Sequence, residues 1–138
     1  MTHPVGILDT SAVISLSALR DPNQLPTTPL ITTITLAELS VGPLATEDQQ
    51  ERARRQALLQ QAEADFDPLP FDAAAARAFG RVAASLRAAG RKPRARAYDA
   101  LIAASAIARD LPLYTMNASD FSHIDGLTVV EVEGSDRS

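Results

Sequence analysis

Val5-Gly6-Ile7-Leu8-Asp9-Thr10-Ser11-Ala12 is an apolar run that stops at an acid followed by two hydroxyl residues. An apolar run of this length suits a buried strand, and Asp with Thr and Ser at its end supplies the groups that cap a helix. Working outward, Leu30-Ile31-Thr32-Thr33 is a second strand candidate. Thr35 stands three residues before Glu38, a capping-box spacing, and the helix it opens should stop near Gly42-Pro43. Thr46 with Gln49 repeats that spacing and opens a polar helix through about Asp65, in which Leu58, Leu59 and Ala62 form a modest apolar stripe. Phe66 to Phe71 carries Pro68 and Pro70, so it is an edge strand or an extended connection, because proline cannot donate to a central ladder. Asp72 caps an alanine-rich helix that ends at Gly90. Between Tyr98 and Arg109 the chain is apolar nearly all round, the mark of a helix buried on most of its faces. Leu113 to Thr115 and Leu127 to Val132 supply two more strands. Strands alternating with helices imply an α/β domain with a parallel sheet.

A chain of 138 residues that is 46% hydrophobic has enough apolar surface for one core and too little for two, so residues 1–134 are expected to form one domain, with 135–138 a frayed tail. There is no cysteine, which excludes a disulfide framework and a thiolate metal site; any metal must be held by oxygen or imidazole. The N-terminus lacks the basic region and long apolar core of a signal peptide, and the uncharged run from Pro22 to Ala37 is too short and too broken by proline to span a bilayer. The expected location is the cytoplasm, with no membrane partner. A net charge of −4 argues against nonspecific nucleic-acid binding over the whole surface and leaves room for a local basic strip.

In a crossover unit the helix runs antiparallel to its strands, so strand C-termini and helix N-termini share one edge of the sheet. Asp9 ends a strand, Glu38 and Asp99 fall in the first turns of two helices, and Asn117 and Asp120 follow the strand ending at Thr115. These residues can converge on one rim. Carboxylates gathered there repel one another unless a divalent cation neutralises them, and hard oxygen donors suit Mg²⁺ or Mn²⁺. Each acid has a second reading: Asp9 as a helix cap, Glu38 as the partner of Thr35, Asp99 as a first-turn acid favoured by the helix dipole. Recurrence of acids at one sheet edge, where open α/β folds place their ligands, favours the site.

Ile7-Leu8-Asp9-Thr10-Ser11-Ala12, Thr35-Leu36-Ala37-Glu38-Leu39 with Gly42, Tyr98-Asp99-Ala100-Leu101-Ile102, and Leu113-Tyr114-Thr115-Met116-Asn117-Ala118-Ser119-Asp120-Phe121 resemble, in order and spacing, the signature segments of VapC-like PIN domains. The resemblance covers nearly the whole chain. It implies a three-layer fold, a central parallel sheet flanked by helices, and a metal-dependent endoribonuclease that is the toxin of a toxin–antitoxin pair. On that reading Asp9, Glu38, Asp99 and Asp120 are catalytic, with Asp9 and Asp99 direct ligands of Mg²⁺ or Mn²⁺, and Glu38 holding a second ion or orienting the attacking water. Thr10, Ser11, Thr115 and Asn117 are supporting residues, although the hydroxyls serve equally as caps. The chain departs from the family at Asn117, where an acid often stands, so either Asp120 supplies that charge or Asn117 binds through water.

Arg87, Arg91, Lys92, Arg94 and Arg96 place five of the 13 basic residues within ten positions, just before Asp99. Such a run is either a solvated surface or, beside the acidic rim, a grip on the phosphates of RNA by Arg91, Lys92, Arg94 and Arg96. Tyr98 is the one nearby residue for stacking on a base. His3 and His123 read as surface residues, with no second histidine placed to make a metal-free acid–base pair. The expected partners are an RNA substrate, a cognate antitoxin and a second copy of the chain in a homodimer, with apolar surface near Leu36 and Leu39 and on the helix of residues 46–65. A PIN-like module that binds without cutting, and a metal-dependent DNA nuclease, are the alternatives.

Overall fold

The computed structural model describes residues 3–92 and 96–135. The elements are β1 (Val5–Leu8), α1 (Thr10–Ile14), β2 (Thr28–Leu30), α2 (Thr33–Val41), α3 (Gln49–Asp65), α4 (Ala73–Ala88), α5 (Ala97–Ala108), β3 (Leu113–Thr115) and β4 (Val129–Glu131). The strands form one parallel sheet in the order β2-β1-β3-β4, with Ile7 opposite Leu113 and Leu8 opposite Tyr114. A strand covered on both faces reads as a continuous apolar run, which is why β1 carries no polar side chain.

Successive strand residues point to opposite faces, so each strand feeds two cores. Ile7, Leu113 and Val129 face α4 and α5, whose Ala78, Val82, Leu86, Ala103 and Ala106 complete one cluster. Leu8, Tyr114 and Val130 face α1 and α3 and pack with Ala12, Val13, Leu58 and Ala62. These are the three layers expected. Residues 100 and 102–106 of α5 are all buried, and the alanines among them let the helix lie close to both α4 and the sheet. Among the described residues no helix is long and apolar enough to cross a membrane.

Two boundaries differ from the sequence reading. Strand β2 ends at Leu30, because Thr32, in extended backbone, caps α2 by accepting the Thr35 N–H at 3.3 Å. Thr35 is therefore inside the helix, and its hydroxyl is free for another partner. Helix α3 likewise begins later than Thr46: Asp48 caps it through the Gln50 N–H, while the Thr46 hydroxyl accepts the Asp48 N–H. Near the C-terminus Gly134 bridges Leu19 and the Ser135 N–H donates to the Ala18 carbonyl at 2.6 Å. Residues 136–138 of the expected tail lie outside the described residues.

Gly6 lies against the ring of Tyr114. A methyl there would meet Tyr114 Cε1 at 2.5 Å and Cδ1 at 2.9 Å. Tyr114 is fully buried and its hydroxyl accepts the His3 N–H, so the ring has little room to yield. Gly6→Ala is expected to destabilise the fold by about 1–3 kcal/mol, as overpacked cores do. A thermal melt by circular dichroism should show a drop of several degrees; an unchanged midpoint would mean that Tyr114 moves freely.

Candidate active site

The strand order reverses beside β1: the chain leaves it for β2 on one side and later returns to place β3 on the other. Open parallel sheets keep their ligand crevice at such a point, outside the strand C-termini. Asp9 follows β1 there, and its N–H donates to the Tyr114 carbonyl at 2.9 Å. Its carboxylate is almost fully buried. Oδ1 accepts the Ala12 N–H at 2.9 Å, which caps α1, and the Ser11 hydroxyl at 2.7 Å. Oδ2 accepts the Thr115 hydroxyl at 2.5 Å. The capping role and the site role thus coincide in one side chain, and one lone pair of Oδ2 is left for a further partner.

Glu38 is brought in by α2 and held by Thr10, whose hydroxyl donates to Oε1 at 2.5 Å. Thr35 stands 3.0 Å from that hydroxyl, fully buried. This residue was missed as a site component because its place before Glu38 reads as a cap; the signal was Thr32 upstream, which can take the cap and release it. Burial pushes the Glu38 carboxyl up, against the bond from Thr10, and the charge of Asp9 adds to the rise. Asp99 sits in the first turn of α5. Burial raises its carboxyl from 3.8 to about 6, with the charges of Asp9, Asp120 and Glu38 adding and Arg96 opposing. Asp120 lies in a 3₁₀ turn, Ala118–Phe121, after β3. The four acids therefore occupy one electrostatic neighbourhood.

The remaining residues take different places. Asn117 enters the network through its backbone N–H, which donates to the Thr115 hydroxyl at 3.0 Å, and the residue is exposed. Met116 N–H donates to Ser11 Oγ at 3.1 Å, so Ser11 and Thr115 bind the end of β3 to Asp9. Arg96 leaves the expected basic strip. Its guanidinium lies 2.8 Å from Asp120 and 4.0 Å from Asp99, because two adjacent carboxylates attract it more strongly than solvent. Arg91 is half-buried and Lys92 exposed; Arg94 lies outside the described residues. Neither His3 nor His123 reaches the acids: His3 packs edge-on to Tyr114, and His123 is exposed.

Carboxylate oxygens carrying excess negative charge are the donors that Mg²⁺ and Mn²⁺ prefer, so the residues fit such an ion chemically. Spatially, no three acids or histidines among the described residues stand near enough to close on one ion in this arrangement.

A three-layer parallel α/β protein with an acidic centre at its switch point is the class that fold and site define. The PIN domain model matches residues 7–127, and the chain belongs to the PIN-domain family. It is 41% identical to Ribonuclease VapC5 of Mycobacterium tuberculosis, over 95% of this chain and 96% of that protein. Ribonuclease VapC4 of the same organism is 31% identical over 92% of this chain and 96% of its own. Among solved structures, a member of the VapBC family of toxin–antitoxin systems, VapBC-5 from M. tuberculosis, superposes with a TM-score of 0.79 and 39% identity, covering 94% of this chain and 98% of that one.

A carboxyl that holds its proton more tightly when folded stabilises the fold below its unfolded pKa, and that contribution is lost as pH rises through the folded value. In EDTA, the contribution of Asp99 to stability should therefore fall as pH rises from 3.8 to about 6. Glu38 acts in the same direction. Asp99→Asn should lose less over that range, read as urea midpoints at successive pH values. Parallel profiles for the two proteins would remove Asp99 from the crowded centre.

Proposed function

We propose that this PIN domain is a Mg²⁺- or Mn²⁺-dependent endoribonuclease and the toxin of a toxin–antitoxin pair. What supports the chemistry is that Asp9, Glu38, Asp99 and Asp120 sit at one edge of the sheet, with Thr115 on Asp9, Thr10 on Glu38 and Arg96 bridging Asp99 and Asp120. The choice of RNA over other phosphodiesters rests on the relatives named ribonucleases.

Asp9 and Asp99 would hold the ion, and a bound divalent cation would supply both an acidified water and polarisation of the phosphoryl oxygen. Thr115, Ser11 and the Ala12 N–H fix Asp9 in place, so one carboxylate is preorganised by the fold. Thr10 orients Glu38 so that its second oxygen is free to direct a water. Arg91 and Lys92, a few residues before α5 in the chain, are cations suited to neighbouring phosphates.

An antitoxin has an apolar place to lie. Ile14, Val41 and Leu44 are all at least half exposed, on or beside α1 and α2. A groove of about 770 Å³ between α1, α2 and α3 runs past Ile14, Leu39 and Leu58 to Thr10 and Glu38. A segment bound along it would reach the acids, and the toxin–antitoxin relatives support a partner of that kind. Leu39 is core, so the exposed apolar side chain in the groove is Ile14, while Val41 and Leu44 lie outside its lining.

Wild type should produce discrete cleavage ends on total cellular RNA with Mn²⁺, and none in EDTA. Asp9→Asn keeps an oxygen to cap α1 while removing the charge. Its rate should fall at least about 100-fold, since changes to groups that merely orient metal ligands already cost about 10–100-fold. Cleavage that survives EDTA would sink the metal, equal digestion of single-stranded DNA would shift the reading to a general nuclease, and no cleavage by wild type would leave a binding module.

A further inference from the structure

Arg96 occupies a position that helix formation alone disfavours. It is the residue before α5, with no side-chain cap, and a cation at a helix N-terminus opposes the helix dipole. The acids account for its place: its guanidinium meets Asp120 at 2.8 Å and approaches Asp99 at 4.0 Å. It therefore offsets part of the crowded negative charge, and it does so between two of the groups that a divalent cation would need. Its guanidinium is the group that directly bridges Asp120 and Asp99. The side chain is about one-third exposed and borders a cavity of about 270 Å³ shared with Glu38, Tyr98 and Asp99. It thus has space to leave the acids, and N–H donors to spare.

We propose that Arg96 is a two-position residue: it neutralises Asp120 and Asp99 in the metal-free protein, and when a divalent cation is bound it turns to the RNA phosphate. This rests on the metal-dependent ribonuclease reading and adds a competition between the guanidinium and the ion. A static ion pair beside the acids predicts tighter metal binding on its removal and no effect on RNA. A two-position residue predicts both at once: removing the guanidinium tightens metal binding and weakens action on RNA, so an unchanged KM also overturns the proposal.

The test measures Mn²⁺ affinity by isothermal titration calorimetry and RNA kinetics at saturating Mn²⁺, for wild type and Arg96→Gln. Arg96→Gln is expected to bind Mn²⁺ roughly tenfold more tightly, the order of effect of deleting one nearby like charge at a partly solvated site. Its KM for RNA should rise roughly tenfold, through the lost phosphate contact. Arg96→Met, also uncharged and close in length, serves if Arg96→Gln does not fold and carries the same expectation. An unchanged or weaker Mn²⁺ affinity, with wild type cutting RNA in Mn²⁺, overturns the role of Arg96 and leaves the ribonuclease reading standing. Failure of both proteins to take up Mn²⁺ overturns the metal reading and this proposal together.

Discussion

The Asp9 carboxylate joins three elements at once. It ends β1, caps α1 through the Ala12 N–H and takes the hydroxyl of Thr115 from the end of β3. Leaving such a buried acid without partners would cost several kcal/mol, so the local fold is obliged to supply donors. The residues that satisfy it, Ser11 and Thr115, are also those that bind Met116 and Asn117 and so direct the chain towards Asp120. The position of the last acid is in this sense a consequence of satisfying the first.

The rim has a firm half and a loose half. Asp9, Ser11 and Thr115 belong to the sheet and the helix it starts, and their bonds are all internal to that frame. Glu38 and Asp99 arrive on helices α2 and α5, and both carboxyls are pushed up by partial burial near other negative charge. Charges of one sign are thus held together by hydrophobic layers that face away from them. The apolar clusters under α4, α5, α1 and α3 supply the stability, and the rim spends some of it.

Much of this was readable in the sequence because the signals were local. The run from Val5 to Leu8, the cap at Asp72 and the all-round apolar stretch after Tyr98 each named their element through composition and spacing alone. The sheet-edge argument likewise predicted which acids share a neighbourhood. What escaped was competition between equivalent candidates. Thr32 and Thr35 are the same residue type three positions apart, and only tertiary contact with Thr10 decides which one caps α2. Arg96 escaped for a related reason: a run of basic residues looks uniform in sequence, whereas one member can be drawn out of it by acids from α5 and from the turn after β3.

The crowding of like charge around Asp99 also bears on how the gene would respond to selection. Substitutions in a core abolish function by unfolding the protein, but here neutralising an acid on α5 removes a repulsion rather than a support. On the proposed reading, a substitution of this kind silences the site and leaves a chain that still folds and still presents Ile14 and Leu44. Where activity harms the host, silent but intact copies should therefore be the easiest variants to accumulate, and they would go on titrating the partner of the active form.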